Sequence, residues 1–447
     1  MSVSLDTAVV EQPRTLKQRF LAGASWTIVG YGAQNVLRLG SNLILTRILD
    51  PGAFGLMALA TIFITGLELL SDVGVGPAII QSKRGDDQQL LDTAWTIQII
   101  RGFILFGFCL IVSWPAARYY ATPSLGPLVA VTGLGLVVRG FTPTRVHALN
   151  RKVLLGRLTV VDLGCQVFSL LVTVTACWMW RSVWGLVVGT LAGDLCRVVL
   201  SFAILPGHRH HLSLDRTALH DLVHVGRWII VSTAVTFAAG NLDRLLMGKW
   251  LSVTELGIYS IAFQMVGALT GVGRSIGSRV MFPILAETAR MSREMLYERL
   301  RKGRLLWLVP TVAGLLLLSI WGDVLIRHLY KANYHEAGWM LRILAAGAIV
   351  ATINQTTGIA WPSLGDFRLI AVFMAVQVPV LVAAMYLGRL WYGTPGLVVG
   401  IAAVELLMWP LESFLVQKRH KLWQPEIDLP CLAMSAVVVA LGAVLHR

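Results

Sequence analysis

Eight arginines stand inside stretches that are otherwise apolar: Arg38, Arg101, Arg139, Arg197, Arg244, Arg274, Arg279 and Arg342. No lysine occupies such a position. A guanidinium keeps its charge in nearly any surroundings, and its planar fork of donors fits carboxylate or phosphate oxygens two at a time. At the centre of a membrane helix each costs about 2.5–3.5 kcal/mol on insertion scales, so each must pair, reach an interface or line a wet cavity. Arg197 follows Asp194 by three residues, the spacing of helical neighbours, and is expected to pair with it. Arg101 and Arg279, near the expected inner ends of their segments, and Arg342, near an outer end, are expected to snorkel. Arg38, Arg139, Arg244 and Arg274 have no such explanation and are the candidate contacts to an anionic cargo. The embedded acids are Glu68, Asp72, Asp162, Asp194, Asp243, Glu405 and Glu412. Most are expected to be ion-pair partners or interfacial groups. Asp243 and Glu405 are candidate ion-coupling residues, for protons or sodium.

Other chemical signals are weaker. Cys109, Cys165, Cys177, Cys196 and Cys431 form no CxxC pattern and read as small buried hydrophobes rather than metal ligands or disulfides. The run His208, Arg209, His210 and His211 is expected to be a solvated interfacial loop rather than a metal site. Gly271, Gly273 and Gly277 follow no strand, so a dinucleotide loop is not expected; Gly273 and Gly277 suit a close helix contact. No catalytic residue, metal or cofactor is expected.

The elements that must hold these arginines follow from composition. The chain has 447 residues, 56% of them hydrophobic and only 14% charged, with a mean hydropathy of +0.69. Soluble chains carry roughly 25% charged residues, so the apolar excess must face lipid. Disordered, collagen-like and disulfide-scaffold classes are excluded by the same figures. Apolar runs long enough to span a bilayer occur near 21–46, 53–77, 94–117, 124–146, 157–180 and 182–206, and again near 226–250, 256–284, 304–328, 337–361, 368–390, 395–416 and 428–446. The expected class is therefore an all-α integral membrane protein with about 13 transmembrane helices. No removable signal peptide is expected in the polar first twenty residues. With the N-terminus inside, the 38 Lys and Arg divide into 22 on the inner side, 8 on the outer side and the 8 embedded arginines. That bias fixes the orientation, and assigns most of the net charge of +14 to the inner leaflet rather than to nucleic acid. Between the eighth and ninth runs, residues 285–303 put apolar side chains on one face and charges on the other, and are expected to lie on the inner leaflet.

The chain also repeats. At an offset of 202 residues, LTRILDPGAFGLMALA (45–60) falls on MGKWLSVTELGIYSIA (247–262). Trp26, Arg47 and Gly55 fall on Trp228, Lys249 and Gly257. Six runs separate the copies, so the halves share one direction and are related by an axis along the membrane normal, a transporter plan with substrate between the lobes. The expected organisation is a cytoplasmic segment (1–20), an N-lobe (21–206), an inter-lobe loop (207–225), a C-lobe (226–416), and a cytoplasmic loop with a last span (417–447).

LILTRILDPGAFGLMALATIF followed by LLSDVGVGPAIIQ resembles the opening of polysaccharide (O-antigen and exopolysaccharide type) flippases of the multidrug/oligosaccharidyl-lipid/polysaccharide exporter superfamily. NLDRLLMGKWLSVTELGIYSIAFQM and RVMFPILAE resemble the start of their second lobe. The resemblance runs from about residue 15 to about 420. It implies a flippase of the cytoplasmic (inner) membrane that moves polyprenyl-pyrophosphate-linked oligosaccharide repeats by alternating access between two parallel six-helix lobes. Its partners would be that lipid-linked cargo, membrane lipids and other polysaccharide-assembly proteins. Related flippases meet the pyrophosphate with an arginine in the first span and another in the eighth, and Arg38 and Arg274 occupy those helices here. Relatives often have fourteen spans, so a groove for the lipid tail at the last helix pair would be incomplete in this chain. A multidrug exporter of the same superfamily is the near alternative; its drug cations would want an acidic cavity. A membrane glycan polymerase or ligase would need a sizeable outer loop, and a non-transporting scaffold leaves the repeat and the arginines without a role.

Overall fold

The computed structural model describes residues 16–71, 75–76, 79, 87–147, 155–204, 210–215, 233–234, 237–238, 240–277, 281–289 and 293–445. Helices α1 (Leu16–Ile48), α2 (Pro51–Leu70), α3 (Gln88–Tyr119), α4 (Leu125–Gly140), α5 (Leu155–Trp180) and α6 (Trp184–Ile204) form the first half. The second half contains α7 (240–250), α8 (Val253–Ile276), α9 (Phe282–Thr288), α10 (Arg293–Leu329), α11 (Ala337–Gly358), the single turn α12 (Ala360–Ser363), α13 (Phe367–His420) and α14 (Pro425–Leu445). Among the described residues there is no strand.

Local chemistry sets the boundaries. Asp50 is extended and Pro51 follows it, a residue whose fixed φ and missing N–H suit the first position of a helix. Asp87 accepts the Gln89 N–H at 3.0 Å and starts α3. Ser252 and Glu255 cap α8 reciprocally, each side chain taking the other's backbone N–H. Within α13, Gly393 adopts φ 62° and breaks the helical path, so Phe367–His420 is two helices meeting at a kink.

Eight of the described helices are long and apolar enough to cross a membrane, and one of these, Val372–His420, contains the Gly393 break. Large apolar side chains stand on the outside, among them Phe103, Ile104, Ile111, Leu171, Leu306 and Leu317. An outer surface of this kind belongs in lipid, and the chain is a multi-pass membrane protein. Thirteen crossings exceed what these eight helices establish. Much of the seventh expected span, including Trp228, lies outside the described residues, as do Asp72, Arg279, His208 and Arg209.

Helices of each half pack chiefly against one another: α5 on α6 and α3 on α4 in the first, α10 on α11 and α11 on α13 in the second. The halves meet mainly where α2 lies against α8. There the repeat-related glycines face each other. A Cβ on Gly55 would come within 3.0 Å of the Gly257 nitrogen and one on Gly257 within 3.0 Å of the Gly55 nitrogen, and each would also overlap a carbonyl oxygen, of Val253 and of Pro51. Only glycine allows this backbone approach, and the repeat supplies one from each half. Polar contacts surround it: Tyr334 Oη donates to the Leu49 carbonyl at 2.8 Å, Asn333 Nδ2 to Asp50 Oδ1 at 3.1 Å, and Lys249 Nζ to the Tyr119 carbonyl at 2.6 Å.

Two expectations fail here. Residues 293–303 are not a separate helix on the leaflet; they are the first turns of α10, which runs for 37 residues, about 55 Å, and outreaches the hydrocarbon. Their apolar face is covered by protein, since Leu296 and Leu300 join a core with Leu285, Trp361 and Leu422. The second is His210, which is not solvated. Its ring packs on Trp95 and Phe202, and its Nδ1 lies 3.2 Å from Asp92. Burial pulls its pKa below the ordinary imidazole value, with Asp92 pulling the other way.

Arg304, counted with the inner-loop cations, is wholly buried and ion-paired with the equally buried Asp428 of α14. Its other donors reach Thr356 and Gln424, each at 3.3 Å. The last helix is thereby fastened into the C-terminal half. Replacing Arg304 by Met leaves Asp428 buried without its cation and should cost about 3–5 kcal/mol. Thermal unfolding in detergent should show that loss, and Arg304→Met with Asp428→Leu should recover most of it.

Candidate functional site

A cavity of about 690 Å³ opens between α1 of the first half and helices α7, α8, α11 and α13 of the second. That size suits a substantial ligand. Its walls carry Arg38, Asp243, Arg244, Arg274 and Glu405. Sequence spacing explains the convergence. Tyr31 and Arg38 are two turns apart on one face of α1. Phe263, Gly267, Thr270, Gly271 and Arg274 fall at helical intervals along α8 and line the same wall.

Each charged group is held differently. Arg38 is exposed to the cavity, and its Nη2 donates to Asn35 Oδ1 at 3.1 Å. The Arg244 guanidinium sits 4.0 Å from the centroid of the Phe263 ring, a stacking that orients the fork without neutralising it. Its neighbour Asp243 is buried and accepts a hydrogen bond from Tyr259 Oη at 3.0 Å. Among the described residues, neither the other Asp243 oxygen nor Arg244 Nε makes a hydrogen bond. Arg274 is exposed on α8. Glu405 accepts from Asn354 Nδ2 at 2.8 Å and from Gln377 Nε2 at 3.0 Å. None of the three arginines has a carboxylate within ion-pair distance among the described residues. The wall therefore offers guanidinium donors to an anion, an aromatic face, and amide groups at Gln355 and Gln377.

Arg139 stands elsewhere. On α4 it pairs with Asp194 of α6 at 3.1 Å and approaches Glu68 of α2 at 3.5 Å. It lines a separate small cavity of about 110 Å³ with Gln98 and Arg101. This overturns the expected Arg197–Asp194 pair: Asp194 belongs to Arg139, and Arg197 reaches Asp162 of α5 at 3.0 Å. Arg101 does not snorkel either. Its Nε donates to Ser71 Oγ at 3.0 Å and an Nη to the Glu68 carbonyl, satisfying the C-terminal end of α2. Arg342 Nε donates to the Ser319 carbonyl at 3.2 Å. Gly273 and Gly277 do make a close helix contact, since a Cβ on either would run into the Trp307 ring of α10.

The sequence reading missed Tyr31, Phe263, Asn354, Gln355 and Gln377. The amides carried a usable signal, as uncharged polar groups inside apolar runs that need partners as charges do. The aromatics carried none.

Comparison with known proteins agrees with this architecture. Polysaccharide biosynthesis proteins are matched as a family over residues 44–339. The lipopolysaccharide biosynthesis protein WzxC of Escherichia coli (strain K12) is 20% identical over 448 residues, covering 96% of this chain and 89% of its own length. The fold is similar to that of the lipid II flippase MurJ in an inward closed conformation, with a TM-score of 0.72 at 11% identity, covering 95% of this chain and 92% of that one. It is also similar to the inward-facing conformation of a multidrug resistance MATE family transporter of the MOP superfamily, with a TM-score of 0.63 at 16% identity and coverage of 87% and 94%. With well over half its length matched, and with two repeat-related halves around a membrane cavity, the chain belongs to the polysaccharide biosynthesis protein family.

Proposed function

We propose that the protein is a flippase that carries polyprenyl-pyrophosphate-linked oligosaccharide repeats across the cytoplasmic membrane for surface polysaccharide assembly. One observation carries the reading: a cavity within the membrane-embedded bundle lined by three arginines, none of which has a carboxylate within ion-pair distance among the described residues. Unpaired guanidinium groups at that depth are stable only with water or an anion, and a pyrophosphate suits their fork. The names of WzxC and MurJ support the same cargo class, a saccharide on a lipid.

Arg274 and Phe263 are eleven residues apart on α8, roughly 16 Å along its axis. A pyrophosphate group cannot bridge that distance, so Arg274 receives it first and Arg38 with Arg244 hold it deeper. Amides and aromatic faces in the wall suit the sugars, and the polyprenyl tail stays in lipid. No covalent step is needed. Asp243 and Glu405, on the same wall, are the candidates for coupling this movement to a proton or a sodium ion. The lobes 21–206 and 226–416, joined by the loop 207–225, move against each other by parting and re-forming the α2–α8 contact. The MATE-like fold alone would also suit a drug exporter, but three arginines against two acids give the wall a positive excess that disfavours a cationic drug as cargo.

Arg38→Ala combined with Arg274→Ala should abolish surface glycan in cells that depend on this chain while leaving thermal stability within about 0.5 kcal/mol, because both side chains are exposed to the cavity. Arg139→Ala should do the reverse in kind, lowering stability by about 1–3 kcal/mol by stranding Asp194. Equal stability for all three would refute the division between cargo and structural arginines. Cysteines placed at Lys83 and Lys331 should label from opposite faces, the first cytoplasmic; labelling from one face would overturn the orientation. Asp50→Cys with Asn333→Cys, oxidised to a disulfide, should stop transport, and reduction should restore it. Transport undiminished by the cross-link would rule out lobe separation at this end.

A further inference from the structure

A second cavity, of about 520 Å³, lies apart from the cargo site where the end of α3 meets the start of α4. Its walls are almost wholly apolar: Ala117 from α3, Pro123 before α4, and Gly126, Pro127 and Ala130 within it. Gly126 makes the groove by letting the helices close behind it. A Cβ there would stand 3.3 Å from the Ser113 carbonyl and 3.4 Å from the Ala117 Cβ. At the rim sits one charge, Arg118, whose guanidinium stands 5.5 Å from the centroid of the Trp114 ring. Both side chains are exposed, and among the described residues no carboxylate lines the groove.

Depth gives this arrangement a meaning. Helix α3 has 32 residues, about 48 Å, so its last turns rise to the headgroup region while Ile104, Phe108 and Ile111 stay in hydrocarbon. The cation–π contact with Trp114 holds the guanidinium beside the groove and leaves donors free for phosphate oxygens. A zwitterionic lipid would also bring an ammonium group, for which the groove supplies no acid, and Arg118 already covers the Trp114 ring. We propose that this groove binds an anionic glycerophospholipid, its phosphate on Arg118 and an acyl chain along Ala117, Gly126 and Ala130. The site is independent of the transport reading.

Native mass spectrometry of the purified full chain, titrated with phosphatidylglycerol and with phosphatidylcholine, tests it. The wild-type chain should retain phosphatidylglycerol about tenfold more tightly than phosphatidylcholine. Arg118→Ala should remove that preference, and Ala130→Trp, which fills the groove, should lower retention of both. Arg389→Ala, at another exposed arginine, should change neither. Equal retention of the two lipids by the wild-type chain, or unchanged retention in Arg118→Ala, would overturn the proposal. Displacement of phosphatidylglycerol by equimolar undecaprenyl phosphate in wild type but not in Arg118→Ala would overturn it too, in favour of a polyprenyl phosphate site. Because Arg118 and Arg389 are exposed, folding of these variants is not at stake, and a melting curve for Ala130→Trp confirms that its loss is local.

Discussion

Hydrocarbon does not solvate charge, and every polar choice in this bundle follows from that one constraint. A guanidinium placed among apolar helices has three outcomes: a carboxylate, a set of carbonyl and hydroxyl acceptors, or a wet cavity. The described arginines show all three. Arg304, Arg139 and Arg197 take carboxylates. Arg101 and Arg342 take backbone carbonyls. Arg38, Arg244 and Arg274 take the cavity. The same constraint accounts for the amides, since Asn354 and Gln377 find their acceptor on Glu405.

Pairing an arginine and leaving it open have different consequences. A paired one adds to the cohesion of a lobe, as Arg304 does in binding α14 to α10 through a pair with no exposed surface. An open one adds nothing to cohesion, and keeps its charge available to something that comes and goes. The contact between the lobes combines two kinds of packing. At Gly55 and Gly257 two backbones touch, and around them Leu49, Phe54 and Leu59 of the first half share a buried apolar core with Met247, Leu256 and Tyr334 of the second. Tyr334 and Asn333 add hydrogen bonds to Leu49 and Asp50 beside it.

Much of this was legible in the sequence because it is written in local patterns. The helical class follows from hydropathy, a property of neighbouring residues, and the equivalence of Gly55 and Gly257 follows from one offset; their contact does not, and only the structure brings the two together. The cavity set was largely legible for a related reason: Arg38, Arg244 and Arg274 have no acid at helical spacing to neutralise them. What failed was partner choice across helices. Arg139 looks unpaired in sequence because Glu68 and Asp194 lie on two other helices, and Arg197 looks paired because Asp194 is near along the chain. Nothing local says that Asp194 turns toward α4 rather than toward its own helical neighbour. Arg304 failed similarly. It follows a run of solvated cations, and only the return of α14 buries it.

The two halves, alike in sequence pattern, have settled this constraint differently. In the first half the described interior charges close on one another: Arg139 with Glu68 and Asp194, Arg197 with Asp162, Arg101 with the end of α2. In the second half Arg244 and Arg274 stay open, and Glu405 is held by amides rather than by a cation. Among the described residues of the first half, only α1 carries an open arginine to that wall. A repeat related by an axis along the membrane normal would by itself place equivalent groups on both sides of the cavity. The charge distribution breaks that equivalence among the described residues: the first half closes Arg101, Arg139 and Arg197 on partners and lends one helix to the wall, while the second half leaves Arg244 and Arg274 open to it. Motion of one half against the other then moves α1 relative to the arginines of α7 and α8. Arg38 would approach or leave the anion held by Arg244, so a rigid-body movement changes the strength of the site without rearranging either half internally.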